Sequence, residues 1–150
     1  MKKLRVLALA FVMTAAVSCS SDSDSGPAPT IVAKWNLSKT VTTIAGASNT
    51  DTYADNEVGC DKDYVEFVQG GNFRNIVFNK DPQNNCTEVG DDAATWALTN
   101  STNLTITGGE FADTYTVIKL SGSELTTKAT STIGGTEASV TYYFKKATTN

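Results

Sequence analysis

The sequence predicts an all-β fold, an eight-stranded antiparallel up-and-down barrel, on three observations. Apolar and polar residues alternate with a period of two from Ile31 onward, as in strands buried on one face. Threonine, a β-branched residue that packs well on a pleated surface, occurs 23 times, 13 of them after residue 100. No window of about eleven residues beyond the N-terminal segment keeps a 3.6-residue apolar stripe free of glycine, proline or clustered threonine.

The elements follow in order. In the first strand Ile31, Ala33, Trp35, Leu37 and Val41 share one face, and Lys34, Asn36, Ser38, Thr40 and Thr42 the other. Val65 and Phe67, the turn Gly70-Gly71-Asn72, and Phe73 to Phe78 read as a hairpin, because glycine reaches the positive φ that tight turns need. Strands are expected again at 94–99, 103–107, 115–121, 124–129 and 139–144, separated by turn signals at 100–102, Gly108-Gly109, Ser121-Gly122-Ser123 and Gly134-Gly135. Short connectors make neighbours in sequence neighbours in space, and eight such strands can close, which removes exposed edges. Two long polar connectors, 45–62 and 79–93, each carry one cysteine and are expected at the same end of the barrel.

The front of the chain has a different logic. Lys2, Lys3 and Arg5 precede an apolar run from Val6 to Val17, the order of an export signal. Twelve helical residues reach only about 18 Å against roughly 30 Å of hydrocarbon, so the run is too short to stay as a membrane span. Its ending, Ala16-Val17-Ser18-Cys19, resembles the lipobox of bacterial lipoproteins, with Ala16 where leucine is common. The resemblance implies cleavage after residue 18 and lipid attachment at Cys19. It also implies a bacterial outer-membrane location on the periplasmic or cell-surface face. Several acyl chains hold a protein on a bilayer where one does so only marginally. Residues 20–30, polar and broken by glycine and proline, form a flexible tether. Its acidic run fits a solvated linker and equally resembles the surface-export tag of some Gram-negative lipoproteins. The domain is then expected over 31–146, with a tail at 147–150.

With Cys19 assigned to lipid, Cys60 and Cys86 remain. In an oxidising compartment they are most simply a disulfide closing a 26-residue separation. They have neither C-x-x-C spacing nor a third soft ligand.

Ala33-Lys34-Trp35-Asn36-Leu37-Ser38 and Ala94-Thr95-Trp96-Ala97-Leu98-Thr99 both spell A-x-W-x-L-[ST] and mark two equivalent strand environments. The order of W-x-L, cysteine and acid, the hairpin Phe67-Val68-Gln69-Gly70-Gly71-Asn72-Phe73, second cysteine, W-x-L and closing meander resembles the lipocalin-like domains of small bacterial lipoproteins. It departs at Ala33, where lipocalins usually carry glycine. The resemblance implies a calyx-type barrel and carries over no catalytic residue.

Function classes fall away by composition. The chain has no histidine, which removes Ser-His-Asp and Cys-His catalysis and histidine metal sites. Loss of the three signal cations leaves nine basic residues against sixteen acidic ones, a net charge of −7, contrary to a nucleic-acid groove. Asp51, Asp55 and Glu57, or Asp61 and Asp63, have calcium-ligand chemistry without the calcium-loop pattern, so solvated acidic loops are the default. We expect no metal, no cofactor and no enzymatic activity.

The candidate cavity lining is the inward phase: Trp35, Leu37, Phe67, Phe73, Trp96, Leu98, Tyr115, Val117, Val140 and Tyr142. Large side chains on such a phase are ordinarily core, so a solid interior is the first expectation and an open cavity the alternative. The expected partners are the membrane, through the N-terminal lipid, and a small apolar ligand, with the domain a monomer. The other reading is a structural or interaction module working through its acidic, disulfide-linked loops.

Overall fold

A computed structural model describes residues 28–90 and 93–148. The export signal, Cys19 and the tether up to Gly26-Pro27 lie outside the described residues. Among the described residues there are ten strands: β1 (Ala33–Ile44), β2 (Ala47–Thr52), β3 (Tyr64–Phe67), β4 (Asn72–Lys80), β5 (Cys86–Val89), β6 (Ala94–Thr99), β7 (Asn103–Thr107), β8 (Asp113–Leu120), β9 (Glu124–Ile133) and β10 (Thr136–Lys146). Eight of them, β1, β3, β4, β6, β7, β8, β9 and β10, pair antiparallel in that order, and β10 returns to β1 to close the barrel. The ring is an up-and-down meander, as its short connectors dictate.

β2 and β5 are the additions. β2 is exposed at all six positions and β5 nearly so, so neither carries the apolar phase by which the barrel strands are recognised. Backbone pairing makes them: β2 folds back on β1 through Ala45-Gly46, both at positive φ (51° and 81°), and β5 folds back on β4. Both lie within the two long connectors.

A bulge in β1 corrects the expected phase of the first strand. Leu37 pairs with Phe144 and Lys39 with Tyr143, leaving Ser38 as the extra residue. Its hydroxyl donates to the Tyr143 carbonyl at 2.8 Å. Beyond it Thr40 and Thr42 pair with Tyr142 and Val140, on the inward face, while Val41 opposes Thr141 on the other. Val41 therefore leaves the face of Trp35 and Leu37. The Lys39 ammonium sits 4.5 Å from the centre of the Tyr143 ring on the outer side.

Past the bulge the upper halves of β1 and β10 run on beyond the ring. β3 pairs with β1 only through Ala33–Trp35, and β8 with β9 only as far as Ala129, whereas β1–β10 pairing continues to Ile44 and β9–β10 to Ile133. Strands β2, β1, β10 and β9 thus form a four-stranded flap projecting from one rim.

The core fills the opposite end. Trp35 is fully buried and its indole N–H donates to the Ile31 carbonyl at 2.8 Å, so the polar atom of the largest side chain is satisfied. Phe67 meets Phe73 and Trp96 edge-on, at 5.1 and 5.5 Å between ring centres. Gly71 matters here: its carbonyl accepts the Trp96 N–H at 2.7 Å, and a Cβ on it would stand 3.3 Å from the Trp96 carbonyl oxygen. Leu104, Ile106, Tyr115, Val117, Leu125 and Phe144 complete the packing.

Candidate functional site

The stem of the barrel is solid. A gap among Phe67, Phe73, Leu104, Ile106, Tyr115 and Phe144 measures about 10 Å³. That is barely room for one water and none for a ligand. The mouth is open: a cleft of about 310 Å³ lies between the β1 bulge, the 53–63 loop, β4, the β7–β8 turn and β10. This is the lower end of the range of small-molecule sites.

Each wall has a local cause. The barrel seam between β4 and β6 is only two residue pairs long, Asn72 with Thr95 and Phe73 with Ala94, so β4 diverges above Phe73 and exposes Asn75 and Val77 to the interior. The β7–β8 turn bends Phe111 into the opening. Its carbonyl accepts the Tyr115 hydroxyl at 2.8 Å, and its ring stands edge-on to Phe73 and to Tyr142, each at 5.9 Å. Phe111, Tyr142 and Val65 border both spaces and form the floor between gap and cleft.

The third wall is the 53–63 loop, organised by Asp63, which is only 5% exposed. Its carboxylate accepts the Tyr53 hydroxyl at 2.7 Å and the Phe78 backbone N–H at 2.8 Å. Its own N–H donates to Asn56 Oδ1, and its carbonyl accepts the Asn36 side chain. The carboxylate weighed above as a calcium ligand with Asp61 is thus the knot of the loop. The Cys60–Cys86 disulfide ties the same loop to the start of β5, with Cα atoms 5.5 Å apart. Both long connectors do meet at one end, the mouth.

Charge on the cleft is of one sign. Among the described residues Asp55, Asp63 and Glu110 line it and neither lysine nor arginine does. The amide of Asn75 donates to Glu110 Oε2 at 3.3 Å. Burial, then the hydrogen bond and charge of Asp63, then the charges of Asp55 and Glu110 push the Tyr53 hydroxyl above its ordinary range. Burial raises Tyr142 as well, helped by Asp113 and Glu110.

The expected lining residues divide. Leu37 and Tyr142 line the cleft. Trp35, Phe67, Phe73, Tyr115 and Val117 are buried core, and Trp96 and Leu98 pack half-buried against it. Val140 is half-buried on the flap side and borders neither space. Tyr53, Asn75, Val77, Glu110 and Phe111 also line the cleft and lie outside the inward phase expected from the sequence. Only Phe111 carried a signal, a lone aromatic in the turn Gly108-Gly109-Glu110-Phe111-Ala112-Asp113.

A closed antiparallel barrel with a packed stem and an aromatic mouth has the plan of a calyx-type barrel. The family profile for the lipocalin-like domain matches residues 31–127, and the chain belongs to that family. Two solved structures are similar: apocrustacyanin C2, at 12% identity and a TM-score of 0.44, and apocrustacyanin C1, at 10% and 0.43. Each comparison covers 79% of this chain and 61% of the other, so the chain spans under two thirds of their length. No curated protein matches the chain in sequence.

Proposed function

We propose that the protein is a binding protein, lipid-anchored at the bacterial outer membrane through Cys19, that holds a small, largely apolar molecule in the mouth of its barrel. The observation that carries the reading is the 310 Å³ cleft, whose apolar wall is Leu37, Val65, Val77, Phe111 and Tyr142. The lipobox resemblance of Ala16-Val17-Ser18-Cys19 supports the anchor, and membership of the lipocalin-like family supports binding over catalysis. Of the two acidic connectors in the rival interaction-module reading, the first lines this cleft through Tyr53 and Asp55, and the second is tied to it by the Cys60–Cys86 disulfide, which supports reading the first as part of a ligand site.

Two measurements test the proposal. Val77→Phe, which fills the cleft from a half-buried position, should abolish probe binding while leaving the thermal transition within a few degrees of wild type. Binding that persists would place the ligand elsewhere. Cys19→Ser should move the protein from the membrane to the soluble fraction, and retention in the membrane would contradict lipid anchoring.

A further inference from the structure

Resting on that reading of the cleft as a binding site, we propose that its ligand is an organic cation, an amine or quaternary ammonium on a compact apolar body. The cleft has two chemically distinct sides. Leu37, Val77 and the Phe111 ring offer an apolar surface, whereas Asp55, Asp63 and Glu110 place carboxylates around the same space with no basic residue among the described residues of its lining. In a partly enclosed site an anionic ligand would meet repulsion from these groups, and a neutral one would leave their field unused.

The carboxylates are also arranged for an organic cation and against a bare metal ion. Among the described residues no three acidic or cysteine side chains converge to hold a metal. Asp63 has its two oxygens committed to Tyr53 and Phe78. What remains is a diffuse negative field beside the rings of Tyr53, Tyr64, Phe111 and Tyr142, and ammonium groups bind by charge and by ring quadrupole together. Burial is the first cause that raises the Tyr53 and Tyr142 hydroxyls, and the nearby carboxylates add to it, Asp63, Asp55 and Glu110 at Tyr53 and Asp113 and Glu110 at Tyr142. At about 30 Å³ for each water-sized unit, the volume admits roughly ten non-hydrogen atoms.

Three probes with one phenyl body separate the outcomes: 2-phenylethylammonium, 2-phenylethanol and phenylacetate, titrated into the mature chain by calorimetry. The ammonium should bind at least about tenfold tighter than the alcohol, and the carboxylate weakest. The preference should shrink in 0.5 M salt. It should also fall to within about twofold in the Asp55→Asn, Glu110→Gln double variant, whose positions are both exposed. The Asp51→Asn, Glu137→Gln double variant, an equal charge change at two exposed positions of the flap, should leave it intact, which separates the cleft from the net charge of the chain. Equal or tighter binding of the alcohol or the carboxylate overturns the cation proposal and leaves the binding reading standing. Failure of all three probes overturns both. Should the double variant not fold, the order of the three probes and its salt dependence in the wild type decide.

Discussion

At the scale of residues, one hydroxyl holds a wall of the cleft. Tyr53 donates to a carboxylate that is almost wholly buried, so removing the donor leaves Asp63 Oδ2 without that bond and with little water to replace it. Tyr53→Phe should lower stability by about 1.5 to 3 kcal/mol, read from urea denaturation at pH 7. A change below about 0.5 kcal/mol would mean the loop does not depend on the bond. The raised pKa of Tyr53 gives the sign with pH. A phenol held neutral in the fold contributes stability that is complete below about pH 10 and is lost as the pH rises above it, so the gap between Tyr53→Phe and wild type should narrow in alkali.

At the scale of elements, the Glu124 carboxylate at the start of β9 joins Lys119 of β8 to Lys145 of β10 and closes the barrel foot across three strands. The hydrogen bonds and charges of these lysines pull its pKa down to about 2. A carboxyl depressed in the fold stabilises above its unfolded pKa, and that contribution disappears as the pH falls toward the folded value. Glu124→Gln should therefore melt below wild type at pH 7 and together with it near pH 2. A constant difference across that range would exclude the ion cluster as the cause.

The same scale shows what could be read in advance. The eight ring strands were legible because one face of each is apolar: Val65 and Phe67 on β3 and Leu104 and Ile106 on β7 alternate with polar residues. β2 was not, since Ala-Ser-Asn-Thr-Asp-Thr has no face to bury and is held on β1 by backbone pairing and a Thr43–Ser48 hydroxyl contact. The reversal at Ser38 was hidden because a bulge leaves the composition of a strand unchanged while moving Val41 to its other side.

At the scale of the whole molecule, the cleft is assembled from segments far apart in sequence, at residues 37, 53–65, 75–77, 110–111 and 142. Period and composition report each segment separately, which is why Leu37 and Tyr142 were legible as inward-facing and Tyr53, Val77 and Glu110 were not. The pairing of Cys60 with Cys86 was accessible because it follows from counting cysteines, and it joins the connectors that bound the mouth. The chain-entropy model assigns a 26-residue loop about 3.5 kcal/mol. Replacing both cysteines by serine should cost roughly that in urea denaturation and should weaken ligand binding, because Asp55 and Tyr53 lie on the released loop. Loss of stability under 1 kcal/mol would indicate that β4–β5 pairing fixes the loop without the bond.

The central claim is that the ligand occupies the mouth while the stem stays closed. Amide and methyl NMR shifts, followed as the phenyl probes are titrated in, test it most directly. The predicted changes fall on Leu37, Tyr53, Val77, Phe111 and Tyr142, with Trp35, Leu104 and Leu125 unmoved; shifts centred on those three core residues would contradict it.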